Sequence, residues 1–402
     1  MSGRILIVHN SPERAVELES ILNRAGFTVF VADGIGRARE LLHRHPDLLL
    51  FDMDLARTAT SEQLDTLAGE LELAETFCLR IYPEGRVDTR LRERVPFACG
   101  SVPPPGTAEQ LLELVATLLR VKQAEHQRNL AQERLLLQRM EVEEGLRSAA
   151  QIQHALLPEK SPNLPAFSFA WQFKPCESVG GDLFNLLQLS EDVLLAYMLD
   201  VSGHGVSSAM VTVSVYQSLS DRTSHLVKQP LDVPPYFRIN RPAEVLTGLD
   251  REYPYERFEK FFTIAYLLLE PASGRVRYAN GGHPPSLLVR ADGTLEKLAA
   301  GGTLVGLGGL VPYEEDSVQL APGDRLYLYS DGVTEHENGS GEMFGEQRLS
   351  DFFCRQQQLP LAEGAERFVE DLLQFGEDRA PVDDISLLCI QYNGSAGERP
   401  SN

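Results

Sequence analysis

Five aspartates stand where an apolar run ends or a glycine-rich turn begins. Asp182 closes VGGD at 179–182, Asp200 follows AYML and opens DVSGHG, Asp331 follows YLYS and opens DGVTE, and Asp383 and Asp384 precede ISLLC. Hard cations such as Mg²⁺ and Mn²⁺ take oxygen ligands, and strand ends in a rigid sheet can bring several carboxylates to one point. Adjacent glycines let a backbone carbonyl or a water approach closely. Two such ions about 3.5–4 Å apart can clamp a phosphoryl group and bring the pKa of a shared water toward neutrality, so that in-line attack needs no covalent nucleophile.

No one of these positions is informative alone, because an aspartate at a strand end is more often a turn former than a ligand. Asp33-Gly34 after TVFVA and Asp292-Gly293 between SLLVR and TLEKL look the same and read as ordinary turns. His204 in DVSGHG and His283 in GGHPP invite a general-acid role, since imidazole titrates near neutrality, but they read as turn and structural residues. With no cysteine at ligand spacing, neither suggests zinc. The glycine-rich GGTLVGLGG at 301–309 does not join a strand to a helix with nucleotide-binding spacing and reads as a loop.

The elements that must hold these aspartates follow from hydrophobic patterning. Strand-like runs lie at 167–173, 193–199, 261–270, 275–280, 286–290, 324–330 and 385–391, with helical segments near 207–219, 242–251, 346–357 and 362–375. Such a mixture predicts an α+β domain over 158–392 with mostly antiparallel sheets. Residues 226–241, with Pro230, Pro234 and Pro235, read as an irregular loop, either a substrate-facing flap or a surface excursion. Residues 393–402 (NGSAGERPSN) read as a disordered polar tail.

Upstream, the pattern differs. Strands at 5–8, 27–32, 47–51 and 76–81 alternate with helical segments, which predicts an α/β domain over 1–118 built on a doubly wound parallel sheet. A helical linker over 107–157 carries Leu111, Leu114, Leu118 and Val121 at heptad spacing, then a less regular series from Leu130 to Leu156, before Pro158 stops it. The register slips after Val121 and Gly145 interrupts it, so the helix reads either as a coiled coil that pairs two copies or as a helix packed along its own domains. A homodimer is the expectation.

Bulk composition narrows the partners. The 58 Asp and Glu against 37 Lys and Arg give a net charge of −21, with no long basic run, which argues against nucleic acid and anionic membrane. The five cysteines show no C-x-x-C spacing, and neither a signal-peptide core nor a spanning helix is visible. A cytoplasmic protein with reduced thiols is expected.

Taken in order, GGD, DVSGHG, YANGGHPP at 278–285, LYSDGVTE and DDIS resemble the SpoIIE/RsbU-type branch of the PPM (protein phosphatase 2C) family, over about 151–391. The resemblance implies a central antiparallel β-sandwich flanked by helices and a protein-serine/threonine phosphatase using two divalent metal ions, Mn²⁺ or Mg²⁺. It makes Asp182, Asp200, Asp331 and Asp383 the catalytic metal ligands, with Asp200 bridging, the Val201 carbonyl assisting and Asp384 in reserve. The implied substrate is a phosphoserine or phosphothreonine protein, of the anti-sigma-factor-antagonist type. Asn185 stands where many relatives carry an acidic residue, DDIS replaces DDIT, and the arginine that grips phosphate in eukaryotic relatives is not identifiable. A non-catalytic adaptor that binds phosphoproteins through the same fold is the alternative reading.

Residues 3–120, with ILIVHNS and PDLLLFDMDL, resemble a response-regulator receiver in which Asp52 would accept phosphate. The two Mg²⁺-binding acidic positions align with His9 and Asn10, and the family's lysine aligns with Pro103. Without those carboxylates, aspartyl phosphorylation loses its charge neutralisation. The resemblance therefore implies a degenerate receiver that dimerises or meets an upstream signalling protein.

Overall fold

The computed structural model describes residues 3–82, 89–102, 107–176, 179–203, 205–220, 225–377 and 379–394. Pro103, His204 and most of the polar tail, on which sequence readings fell, lie outside the described residues. The chain divides into two compact units, Met1–Arg139 and Met140–Asn402.

The first unit contains β1 (Arg4–Val8), α1 (Pro12–Arg24), β2 (Thr28–Ala32), α2 (Ile35–Leu41), β3 (Leu48–Asp52), α3 (Met53–Thr58), α4 (Ser61–Leu73), β4 (Phe77–Ile81), α5 (Thr89–Arg94) and β5 (Gly100–Val102). The strands form one parallel sheet in the order β2-β1-β3-β4-β5. Side chains alternate across a strand, so Ile5 and Ile7 enter a core with Leu22 of α1, while Leu6 and Val8 enter one with Leu64 and Leu67 of α4. Helices therefore cover both faces, as the doubly wound reading requires. Local signals set the helix starts: Ser11 caps α1 ahead of Pro12, and Thr60 and Gln63 form a reciprocal capping box on α4.

The linker is a single helix, α6 (Ala108–His154), which crosses the division between the units. Leu111 and Val115 are buried in the first unit's core, whereas Leu130, Leu137, Met140 and Val142 are exposed.

In the second unit follow β6 (Phe167–Lys174), β7 (Asp182–Ser190), β8 (Val193–Val201), α7 (Val206–Leu219), β9 (Lys228–Pro230), β10 (Phe237–Ile239), α8 (Pro242–Glu252), α9 (Tyr255–Phe258), β11 (Phe262–Glu270) and β12 (Arg275–Gly281). The chain continues with β13 (Ser286–Val289), β14 (Leu295–Leu298), β15 (Gly301–Gly302), β16 (Asp316–Gln319), β17 (Arg325–Tyr329), α10 (Asp331–Thr334), α11 (Gly345–Arg355), α12 (Leu361–Phe375) and β18 (Ile385–Tyr392). One sheet runs β15-β12-β11-β8-β7, with β16 also on β12, and a second runs β14-β13-β17-β18-β6. Leu195 and Leu267 of the first share a core with Leu328 and Leu388 of the second, which makes the sandwich. Phe353 of α11 and Phe368 of α12 cover Tyr327 and Tyr329 of the second sheet, and α7 and α8 pack on the first.

The structure departs from the sequence reading at three places. Residues 226–241 are not wholly irregular: β9 and β10 pair as a short antiparallel hairpin. The strand β7 is absent from the hydrophobic reading, although it carries Asp182. Asn393 is not part of a loose tail, since its backbone N–H donates to the Ala166 carbonyl at 2.8 Å and its side chain donates to Pro165 and Ser168. Among the described residues, no helix is long and apolar enough to cross a membrane.

Candidate metal centre

The hairpin of β7 and β8 pairs Asp182 directly with Asp200, and β11 places Thr263 on the other side of Asp200. The second sheet supplies the rest. Asp331 opens α10 immediately after β17, while Asp383 and Asp384 precede β18, the neighbour of β17. Four elements from two sheets thus deliver the five aspartates to one edge of the sandwich.

The glycines of the motifs are explained by what lies against them. A Cβ on Gly180 would fall 1.8 Å from Asp384 Oδ2, and one on Gly181 would fall 2.5 Å from the Val201 carbonyl oxygen. On Gly332 it would sit 2.2 Å from the Asp384 carbonyl oxygen. Each is therefore a close backbone approach that only glycine allows. Gly203, at φ +77°, turns the DVSGHG segment, and Lys260 Nζ and Ser208 Oγ both donate to the Ser202 carbonyl there, at 2.9 and 3.1 Å.

Hydrogen bonds divide the five carboxylates by role. Asp384 is buried and acts as a bracket: its carboxylate accepts from Cys176 N at 2.9 Å and from Asp182 N at 3.3 Å. Asp182 Oδ2 accepts from Ser386 Oγ at 2.6 Å. Ser330 Oγ donates to the Asp384 carbonyl at 2.9 Å and accepts from Ser386 N at 3.0 Å, which ties the start of β18 to the end of β17. Asp383 is exposed, and Asp200 and Asp331 are half-buried.

These groups also share an electrostatic signature. Burial, then the neighbouring Asp200 and Asp384, holds the Asp182 carboxyl well above the usual carboxylate range. Burial, with Asp331, Asp383 and Asp384 nearby, raises Asp200 to about 7, and burial with Asp383 and Glu335 raises Asp331 to about 6. Like charges packed together disfavour ionisation unless protons or cations neutralise them. A divalent ion bound by oxygen would do so, and the all-oxygen donor set matches a hard cation. Among the described residues, however, no three or more His, Cys, Asp or Glu side chains are already gathered as an ion-binding group. The carboxylates feel one another's charge without forming a closed cage, so the residues fit a hard cation by the chemistry of their oxygen donors.

YANGGHPP frames this edge. Asn280 Nδ2 donates to the His283 carbonyl at 2.8 Å, and Asn280 Oδ1 accepts from His283 N at 2.7 Å, closing the NGGH turn. His283 is buried, with Nδ1 2.7 Å from Thr263 Oγ1, and its burial depresses its pKa to about 3. A neutral imidazole so held is structural. The glycine-rich run at 301–309 is likewise anchored, because Asp250 Oδ1 accepts from Gly306 N at 2.7 Å. Asp292 forms an Asx turn with Thr294 N at 2.9 Å.

Sequence reasoning missed Ser386 as a partner of Asp182, Lys260 as a tie to the DVSGHG turn, and Gln153, which contacts Gly180. A hydroxyl in DDIS was visible only as a departure from DDIT. No local pattern marks the other two.

In the first unit, Asp52 ends β3 and is buried. Its carboxylate accepts from Asp54 N at 2.9 Å and Asn10 N at 3.2 Å, and its Oδ2 lies 3.1 Å from His9 Nδ1. An imidazole and two amides thus occupy the carboxylate, in place of the acidic neighbours a Mg²⁺ site would need.

Residues 190–393 match the family model of Stage II sporulation protein E (SpoIIE). Over 279 residues the chain is 25% identical to Protein IcfG of Synechocystis sp., an alignment covering 63% of this chain and 42% of that protein. It is 29% identical over 168 residues to Phosphoserine phosphatase RsbP of Bacillus subtilis, covering 40% of this chain and 38% of that one. With Phosphoserine phosphatase RsbU of Bacillus subtilis it shares 27% over 256 residues, 62% of this chain and 71% of the relative. The chain therefore spans less than half the length of the first two. The SiaA-PP2C domain of Pseudomonas aeruginosa superposes with a TM-score of 0.53 at 24% identity, covering 63% of this chain and 98% of that domain, a likeness of fold. The matched segment takes up just over half the chain and contains Asp200, Asp331 and the DDIS pair, and the chain belongs to the SpoIIE family.

Proposed function

We propose that the second unit is a metal-dependent protein-serine/threonine phosphatase acting in signal transduction. The observation that carries this reading is the convergence of Asp182, Asp200, Asp331 and Asp383 from two sheets onto one edge, where the buried members raise one another's proton affinity. When bound, two divalent ions, Mn²⁺ or Mg²⁺, supply Lewis acidity toward the phosphoryl group and lower the proton affinity of water. The chain's own part is orientation. Asp200, which lies between Asp182 and Thr263 in the sheet, would help to hold both ions, with the Val201 carbonyl after it at the strand end assisting. Asp383 rather than Asp384 would act as the ligand: Asp384 is buried and accepts from the amides of Cys176 and Asp182, whereas Asp383 is exposed and accepts from the Asp384 amide.

The relatives named as phosphoserine phosphatases support phosphoserine as the substrate, and the resemblance of the motifs makes a protein of the anti-sigma-factor-antagonist class the proposed carrier. The first unit is a degenerate receiver that meets an upstream signalling protein, and the exposed apolar residues of α6 pair two copies of the chain. The test is release of phosphate from a phosphoserine protein with Mn²⁺ by the wild type and by Asp200→Asn. The variant is expected to fold and to lose activity by about a hundred- to a thousandfold, the order that removing a central electrostatic group costs. Wild-type turnover by the variant would remove the mechanism, whereas no phosphate release by the wild type itself would favour the adaptor reading.

A further inference from the structure

We infer that Gln153, on the last turn of α6, is a positioning residue for the acidic edge. Gln153 is 6% exposed, and both ends of its carboxamide are used on one residue. Nε2 donates to the Gly180 carbonyl at 2.8 Å and Oε1 accepts from Gly180 N at 3.1 Å. The opposite orientation of the amide would face donor to donor and acceptor to acceptor, so the contact itself fixes the orientation. The pair of bonds is the rung a neighbouring strand would supply. It is made instead by a side chain, to a residue that precedes β7 and has no strand partner of its own.

Packing does not require a glutamine here. Leu157 is buried in the sandwich core, with Leu156 packed against it, and together they dock this end of the chain. The carboxamide acts on the GGD turn. Gly180 lies against the Asp384 carboxylate, which leaves no room for a Cβ, and that carboxylate accepts from Asp182 N two residues further on. A shift of Gly180 therefore reaches Asp384 and Asp182 with no flexible element between. Removing the carboxamide strands a buried N–H and a buried carbonyl, and the backbone must move to find partners. The inference rests on the metal reading of the site.

The test uses the full chain and Mn²⁺ binding by calorimetry, with phosphatase kinetics across Mn²⁺ concentrations as a second readout. Gln153→Met keeps side-chain length and loses both hydrogen bonds. It is expected to bind Mn²⁺ at least tenfold more weakly and to recover kcat as Mn²⁺ is raised. Gln153→Asn keeps the amide but shortens the arm by one methylene, and it is expected to weaken Mn²⁺ in the same direction should the methionine variant not fold. Leu157→Ala, a packing loss in the same region, is expected to lower stability and leave Mn²⁺ affinity near that of the wild type. Equal loss of Mn²⁺ affinity in Leu157→Ala would reduce Gln153 to a stability role and overturn the inference. Wild-type affinity in Gln153→Met, alongside lost binding in Asp182→Asn, would overturn this inference alone. Wild-type affinity in Asp182→Asn would overturn the metal reading and this inference with it.

Discussion

Ser386 Oγ donates a 2.6 Å hydrogen bond to Asp182 Oδ2 across 204 positions of the chain, and so joins the first strand of one sheet to the last strand of the other. The hydroxyl restrains the carboxylate, and partners of this kind typically contribute 10–100-fold to metal affinity or activity. Ser386→Ala is expected to lose about that much activity at limiting Mn²⁺, and Ser386→Thr, which restores the hydroxyl, to stay within a few-fold of the wild type. Steady-state assays of the two variants side by side decide it.

Gly332→Ala is expected to abolish activity and lower the melting temperature, because its methyl would meet the Asp384 carbonyl at 2.2 Å, a backbone atom that cannot step aside. Gly69→Ala in α4, where nothing lies within 4 Å, should be neutral or slightly stabilising by helix propensity, about 1 kcal/mol at most. Thermal melts of both variants test the contrast.

The acidic edge predicts how metal and pH combine. Asp200 and Asp331 have folded-state pKa values raised to about 7 and about 6, from 3.8. The stability they contribute as protonated groups is fully present below 3.8 and is lost as pH rises through 6 to 7. Metal-free protein should weaken over that window, and cations that replace the protons should stabilise it most above it. The rise in melting temperature on adding Mn²⁺ is expected to be larger at pH 8 than at pH 5, and an equal or reversed difference would count against the site.

His283 acts in the opposite sense. Its pKa falls from 6.5 to about 3 through burial, so the unfolded chain takes up a proton below 6.5 that the folded chain refuses. Stability drops as pH falls from 6.5 toward 3, by about 1.4 kcal/mol per unit. Urea denaturation of His283→Gln at pH 6.5 and 5 should show a shallower loss than in the wild type, whatever the variant's stability at neutral pH.

Asp52 is expected to stay unlabelled by acetyl phosphate with Mg²⁺, since His9 and two backbone amides engage its carboxylate. Stoichiometric label on Asp52, read by mass spectrometry, would overturn that expectation and make the first unit a phosphate acceptor.

Much of the architecture is legible in the chain, because patterning is local. The unbroken apolar run ILIV, buried on both faces, gives β1, and the long helical run gives α6 nearly to its ends. The strand β7 is not legible in the same way: DLFNLLQLS is buried over its first five residues, lacks a period of two, and abuts the GGD turn. The hairpin β9-β10 is masked by prolines at 230, 234 and 235 that speak for a loop. At the site, the order of the motifs picks out the aspartates and puts Asp383 ahead of Asp384. It does not announce that the amides of Cys176 and Asp182 reach the Asp384 carboxylate, a contact made across about 200 positions. Gln153 and Ser386 are invisible for the same reason.

Asp182 and Asp200 belong to one leaf of the sandwich, and Asp331 and Asp383 to the rim of the other. Divalent ions held by these carboxylates would act as rivets between two plates that are otherwise joined by side-chain packing and a few hydrogen bonds. Sliding one plate a fraction of a strand spacing along the other would pull the rivet hole apart while every strand stayed paired with its neighbours. On the metal reading, the site would then be lost with every element still folded.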